Sequence, residues 1–107
     1  MTFTVTHVDG SMDDGEDADL DALFAELDTY ADAEHPDVAI SDDGTGWSLS
    51  AFSSGLVVLE NPEDRSNQPQ HMRLPTRAEV RELFAVLARG EVDSVLGREW
   101  NPGYGSR

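Results

Sequence analysis

The sequence predicts an α+β domain: an antiparallel sheet of four to five strands with two amphipathic helices packed on one face, in the order β-α-β-β-β-β-α. Two stretches, one beginning near Leu20 and one near Val80, repeat apolar residues at helical spacing. Between them lie short alternating or apolar runs separated by Gly-containing turn clusters, as hairpin-connected strands require. A chain of 107 residues supports one modest core and not two. Residues 1–100 therefore form a single domain, and the Gly/Pro-rich residues 101–107 form a flexible tail.

Residues 2–8 alternate, with Phe3, Val5 and His7 on one face and Thr4, Thr6 and Val8 on the other. That β-branched content predicts a strand. Residues 9–19 form a polar, acidic connection. Leu20, Leu23, Phe24, Leu27, Tyr30 and Ala31 then mark one face of a helix. Asp17 or Asp19 is placed to cap it, and His35-Pro36 to end it. Strands are expected at 38–41, 47–52 (Trp47, Leu49 and Ala51 inward) and 56–60, with turns at 42–46 and 53–55. The nearly continuous apolar run at 56–60 suits the middle of a sheet. After a polar loop at 61–69, residues 70–74 supply a fifth strand that Pro75 ends. Thr76-Arg77-Ala78-Glu79 is a capping box for a helix burying Val80, Leu83, Phe84 and Leu87. Gly90 suits the position just past its end, and residues 91–96 add one helical turn with Val92, Val95 and Leu96 inward.

Charge is divided along the chain. Residues 1–64 carry 17 of the 22 acidic residues and no Lys or Arg, a formal charge of −17. Residues 65–107 carry the other five acids and all seven Arg, a formal charge of +2. A net charge of −15 with 38% hydrophobic residues approaches the composition of disordered chains, but the periodic segments argue for a folded one. A one-sided acidic field attracts basic surfaces and repels nucleic acid and anionic membranes. The expected partner is a basic protein, with no nucleic acid and no membrane. Lack of cysteine excludes disulfides, thiol chemistry and Cys-ligated zinc. No basic stretch followed by an apolar run opens the sequence, so the expected location is the cytoplasm.

The residues offer no catalytic constellation and no cofactor site. His7, His35 and His71 have no metal-ligand spacing, and a structural or solvated role is expected for His7 and His35. Asp9, Ser11 and Asp13 match the start of a calcium loop, but Asp14 stands where that loop needs Gly and Leu20 where it needs Glu. The acids are abundant, yet none lies inside a hydrophobic run that would raise its pKa for acid–base work. The serines lack a G-x-S-x-G elbow, and Gly44-Thr45-Gly46 is too short to cradle phosphate beside Asp42 and Asp43. Arg77 and Arg81 sit one turn apart beside Glu79 and Glu82, where pairing within the helix is expected. The chain is therefore expected not to be an enzyme. Trp47 suits the core; Trp100 suits either a core edge or an interface anchor.

The stretch from Met72 through Gly90 to Trp100 resembles the end of the Imm1-type immunity proteins of bacterial polymorphic toxin systems. In them a strand leads to a helix, a Gly closes the helix, and a short segment ends on a Trp. Upstream, the Asp-rich helix and Ser53-Ser54-Gly55-Leu56-Val57-Val58-Leu59 are similar to the family's early helix and the strand after its Gly turn. The strand at 56–60 departs from the family in lacking aromatics, and the chain is short for it. The resemblance implies a cytoplasmic protein that binds and blocks a cognate toxin of the deaminase or nuclease class. Contacts are then expected from Asp42, Asp43, Glu60, Glu63 and Asp64, which flank turns at the ends of neighbouring strands. A second patch is Asp13, Asp14, Glu16 and Asp17, with Trp100 as a further contact. The alternative is a small acidic regulatory or scaffold protein with a non-toxin partner.

Overall fold

The computed structural model describes residues 2–30, 36–64 and 66–104. It is an α+β fold with β1 (Phe3–Thr6), β2 (Met12–Asp14), α1 (Leu20–Tyr30), β3 (Asp37–Asp42), β4 (Ser48–Phe52), β5 (Leu56–Glu60), β6 (Gln70–Arg73), α2 (Arg77–Ala88), α3 (Val92–Leu96) and β7 (Asn101–Pro102). Among the described residues all neighbouring strands pair antiparallel, in the order β2-β1-β3-β4-β5-β6-β7.

The register lines up the core. Val5, Ile40, Leu49 and Leu59 form one cross-strand row, and Val38, Ala51, Val57 and Met72 form the next. These rows belong to one buried cluster with Leu23, Phe24 and Leu27 of α1 and Val80, Leu83, Phe84 and Leu87 of α2. Both helices pack on β3. Between them Phe24 and Phe84 meet edge to face, ring centres 4.9 Å apart. Each fully buried Leu or Phe contributes about 1.5–3 kcal/mol relative to exposure, so this layer carries most of the stability. β5 lies between β4 and β6, and its run Leu56–Leu59 is buried on both faces.

The helix ends follow local chemistry. Asp19, rather than Asp17, caps α1: its side chain accepts from the Ala22 amide at 3.2 Å and its carbonyl from Leu23 at 3.0 Å. The expected end of that helix at His35-Pro36 begins in residues 31–35, outside the described residues. Thr76 accepts from the Glu79 amide at 3.2 Å, and its hydroxyl donates to the Glu79 carboxylate at 3.2 Å. Gly90 (φ 78) closes α2 in a Schellman arrangement: its amide donates to Leu87 and the Glu91 amide to Val86. At the β4–β5 turn Gly55 (φ 93) is equally constrained, because a Cβ there would stand 2.7 Å from the Leu74 carbonyl oxygen.

The sheet is larger than the four to five strands expected. β2 lies inside the supposed connection at 9–19, followed by a 3-10 turn, Gly15–Asp17. It is an edge strand away from the core, so Met12-Asp13-Asp14 carries no apolar alternation to betray it. β7 lies in the supposed tail: Asn101 pairs with His71, Pro102 with Gln70, and the Gly103 amide donates to Pro69 at 2.9 Å. Pro102 lacks a donor, which an edge strand tolerates. β1 ends at Thr6, where the chain turns, so Val5 and Val8 are both buried despite their opposite parity. Tyr30, expected on the inner stripe of α1, is 68% exposed; its hydroxyl tolerates water at the end of the described helix.

Candidate functional site

The β3–β4 turn is built by Asp42. Its Oδ2 accepts from the Thr45 amide at 3.0 Å and the Thr45 hydroxyl at 2.6 Å, while the Gly46 amide donates to the Asp42 carbonyl at 2.8 Å. Asp42 is only 1% exposed, so it shapes the turn and does not offer a carboxylate to a partner. This corrects its assignment as a contact. Asp43, the next residue, is exposed; its carboxylate accepts from the Thr4 hydroxyl at 2.9 Å and its amide donates to Thr2.

The two acidic patches separated in sequence meet at one end of the sheet. Thr4 pairs with Asp14 and Ser41, Ser41 with Ser48, and Ser48 with Glu60. Directly paired residues share a face, so Asp14, Thr4, Ser41, Ser48 and Glu60 form one row away from the helices. That row spans four interstrand steps, ~19 Å. Asp14, Glu16 and Asp43 surround a depression of about 520 Å³ whose floor includes Phe3 and Gly15. Beyond Glu60 the chain continues along the same end: Asn61 donates to the Thr45 carbonyl at 3.0 Å, tying the 61–64 segment to the β3–β4 turn. Glu63 is exposed there. Asp64 accepts from the Ser66 amide (3.1 Å) and hydroxyl (2.6 Å) and from Asn67 (2.9 Å), and the Ser66 bonds hold its carboxyl below the usual range. The Glu60 carboxylate accepts from the Tyr104 hydroxyl at 3.0 Å, which raises the Tyr104 pKa.

Asp14, Glu16, Asp43, Glu60, Glu63 and Asp64 thus make one acidic rim. Asp17, in the 3-10 turn, lies just beyond it and is exposed. Asp13 does not join it: parity turns its side chain the other way, to His7. Trp100 does not join it either. Its indole N–H donates to the Val95 carbonyl at 2.8 Å and its ring packs on the core cluster, as Trp47 does. Trp100 is half-buried, so this packing accounts for part of its ring and matches the core-edge reading.

Arg77, Arg81 and Arg89 serve a different layer. Arg77 reaches Asp28 of α1 at 2.6 Å and Arg81 reaches Asp21 at 2.5 Å, so both pair across to the other helix rather than within their own. Arg89 pairs with Glu91 at 2.5 Å and, more loosely, with Glu82 at 3.7 Å. Their neighbouring acids raise the Arg81 and Arg89 pKa values further. Among the described residues no rim carboxylate has an Arg partner.

Sequence reasoning missed one cluster. His7 Nε2 lies 2.5 Å from the Asp13 carboxylate and Nδ1 lies 2.7 Å from the Glu26 carboxylate. Hydrogen bonding to Asp13 is the largest cause of a raised His7 pKa; burial opposes it, and Glu26 adds to it. Hairpin parity could place His7 near Asp13, but nothing local connects His7 to Glu26 in the following helix. Among the described residues no group of three or more His, Asp or Glu side chains is arranged to hold a metal ion, and no helix is long and apolar enough to cross a membrane. Comparisons of the chain with protein-family models, with curated proteins and with solved structures return no match.

Proposed function

We propose that this protein is a non-enzymatic inhibitor whose acidic rim docks on a basic protein surface and occludes it. The observation that carries this reading is the convergence of two distant acidic segments on one end of the sheet, without Arg counterions among the described residues. Carboxylates at both ends of a five-strand row spanning ~19 Å, with Asp43 at the turn between, offer acceptors to a cleft that otherwise binds phosphates. Such a surface raises association rates about 10–10³-fold, an advantage that salt removes. The resemblance to immunity proteins points to a toxin of the deaminase or nuclease class as the target, with the cytoplasm as the site of action. On the alternative reading, a regulatory protein with another basic partner uses the same rim.

The test is co-expression with the product of the adjacent gene, scoring growth rescue and co-purification. The wild-type chain is expected to do both. Combined Asp14→Lys, Asp43→Lys and Glu60→Lys substitution should slow association at low salt by at least about tenfold. Reversal of Glu82 on α2 should leave it unchanged. Unaltered binding and salt dependence in the triple variant would overturn the rim mechanism; co-purification without rescue would favour the regulatory role.

A further inference from the structure

We propose that His7 is a proton-controlled latch that holds the edge strand β2, and with it the Asp14 end of the acidic rim, against β1 and α1. The geometry carries this. An ionised carboxylate only accepts hydrogen bonds, and a neutral imidazole has a single N–H. With Asp13 on Nε2 at 2.5 Å and Glu26 on Nδ1 at 2.7 Å, both bonds form together only when the ring carries two protons. The imidazolium then bridges three elements: the end of β1, β2 through Asp13, and α1 through Glu26. Glu26 is itself anchored, its other oxygen 3.4 Å from the Val8 amide.

The surroundings add charge of one sign. The depression around the ring is lined by Val8, Asp9, Ser11, Asp13, Glu26 and Tyr30. Asp9 is occupied by the Ser11 amide and hydroxyl, which lower its pKa, and His7 lowers it a little more. No Arg pairs with His7, Asp13 or Glu26 among the described residues, so His7 supplies the cation at this point. Deprotonation leaves two or more carboxylates facing a neutral ring that can satisfy one of them. β2 has little else to hold it, being three residues paired only with β1.

The pH direction follows from the raised pKa. The bridge contributes fully below pH 6.5, the unshifted value, and its contribution is lost as pH rises through the higher folded-state value. β2 then loosens and the rim loses its Asp14 end. The effect on a partner rests on the rim reading; the latch itself does not, and is measured on the free protein.

NMR titration of the His7 ring is combined with hydrogen exchange of β2 amides, corrected for intrinsic rates, from about pH 5.5 to pH 9. The ring midpoint is expected above 6.5, with β2 protection falling several-fold through that midpoint while the β3 and β4 amides stay protected. In His7→Gln, with one amide group and no charge, β2 protection should be low and independent of pH. Should that variant fail to fold, Asp13→Asn serves instead, and the His7 midpoint should drop towards 6.5. Wild-type β2 protection that ignores the His7 titration, or an unmoved midpoint in Asp13→Asn, overturns the latch. If rim reversals abolish binding while β2 ignores pH, the rim stands and the latch falls. If β2 tracks His7 while rim reversals bind normally, the latch stands alone.

Discussion

Asp42 and Asp43 are neighbours of identical chemistry with opposite surroundings. Asp42 ends the buried face of β3 after Val38 and Ile40, and there its carboxylate accepts both the amide and hydroxyl of Thr45. Asp43 falls on the other parity and faces water. Removing Asp42 takes the charged acceptor from the Thr45 amide and hydroxyl, two part-buried hydrogen bonds, so Asp42→Ala should destabilise by about 1–3 kcal/mol. Asp43→Ala loses an exposed bond to Thr4 and should change stability by less than about 1 kcal/mol. Urea denaturation with an unchanged slope checks both. The distinction was legible: two residues beyond Ile40 is the same face, and drawing the strand end at Ser41 instead of Asp42 hid it. The His7 bridge was not legible, because its two acids come from different elements and only packing unites them.

At the scale of elements, recognition followed the core. α1, α2 and the strands from β3 to β6 bury apolar faces, and their periodicity marks them in the chain. The Thr76-x-x-Glu79 pattern gives the start of α2, and Gly90 its end, because both solve local hydrogen-bonding problems at helix termini. Thr76→Ala should therefore cost about 1 kcal/mol, with Thr76→Ser recovering most of it; thermal or denaturant unfolding of the pair is the measurement. β2 and β7 escape sequence reading for one shared reason. They pair on one side and lie outside the core, so no hydrophobic pattern is demanded of them. The α1–α2 ion pairs escape it too, since Asp21 and Asp28 meet Arg81 and Arg77 only after the helices are laid side by side.

For the whole molecule, the division of charge along the chain becomes a division between layers. Arginines in the helical layer face acids of α1 and α2, while rim acids at the end of the sheet face solvent. With a net charge of −15, repulsion among unpaired carboxylates opposes the compact state. Raising NaCl from about 20 mM to about 500 mM shortens the screening distance several-fold. The unfolding midpoint should rise over that range, since at a net charge of −15 the like-charge repulsion that salt relieves outweighs the exposed Arg–carboxylate attraction that it weakens. A falling midpoint would mean those pairs dominate. The acidic composition was plain from the sequence; which acids are paired was not, because pairing is a property of the packed layers.

The margins of the sheet have a consequence for how the molecule behaves in a crowd of its own copies. A ladder grows from chain to chain when its last strand presents a long row of free backbone donors and acceptors. One margin here is three residues long and carries Asp13 and Asp14; the other is two residues long and includes Pro102. Neither offers a template on which another chain can crystallise a strand. Among the described residues the sheet thus ends at both sides in strands that disfavour pairing between copies, and a net charge of −15 adds repulsion between them.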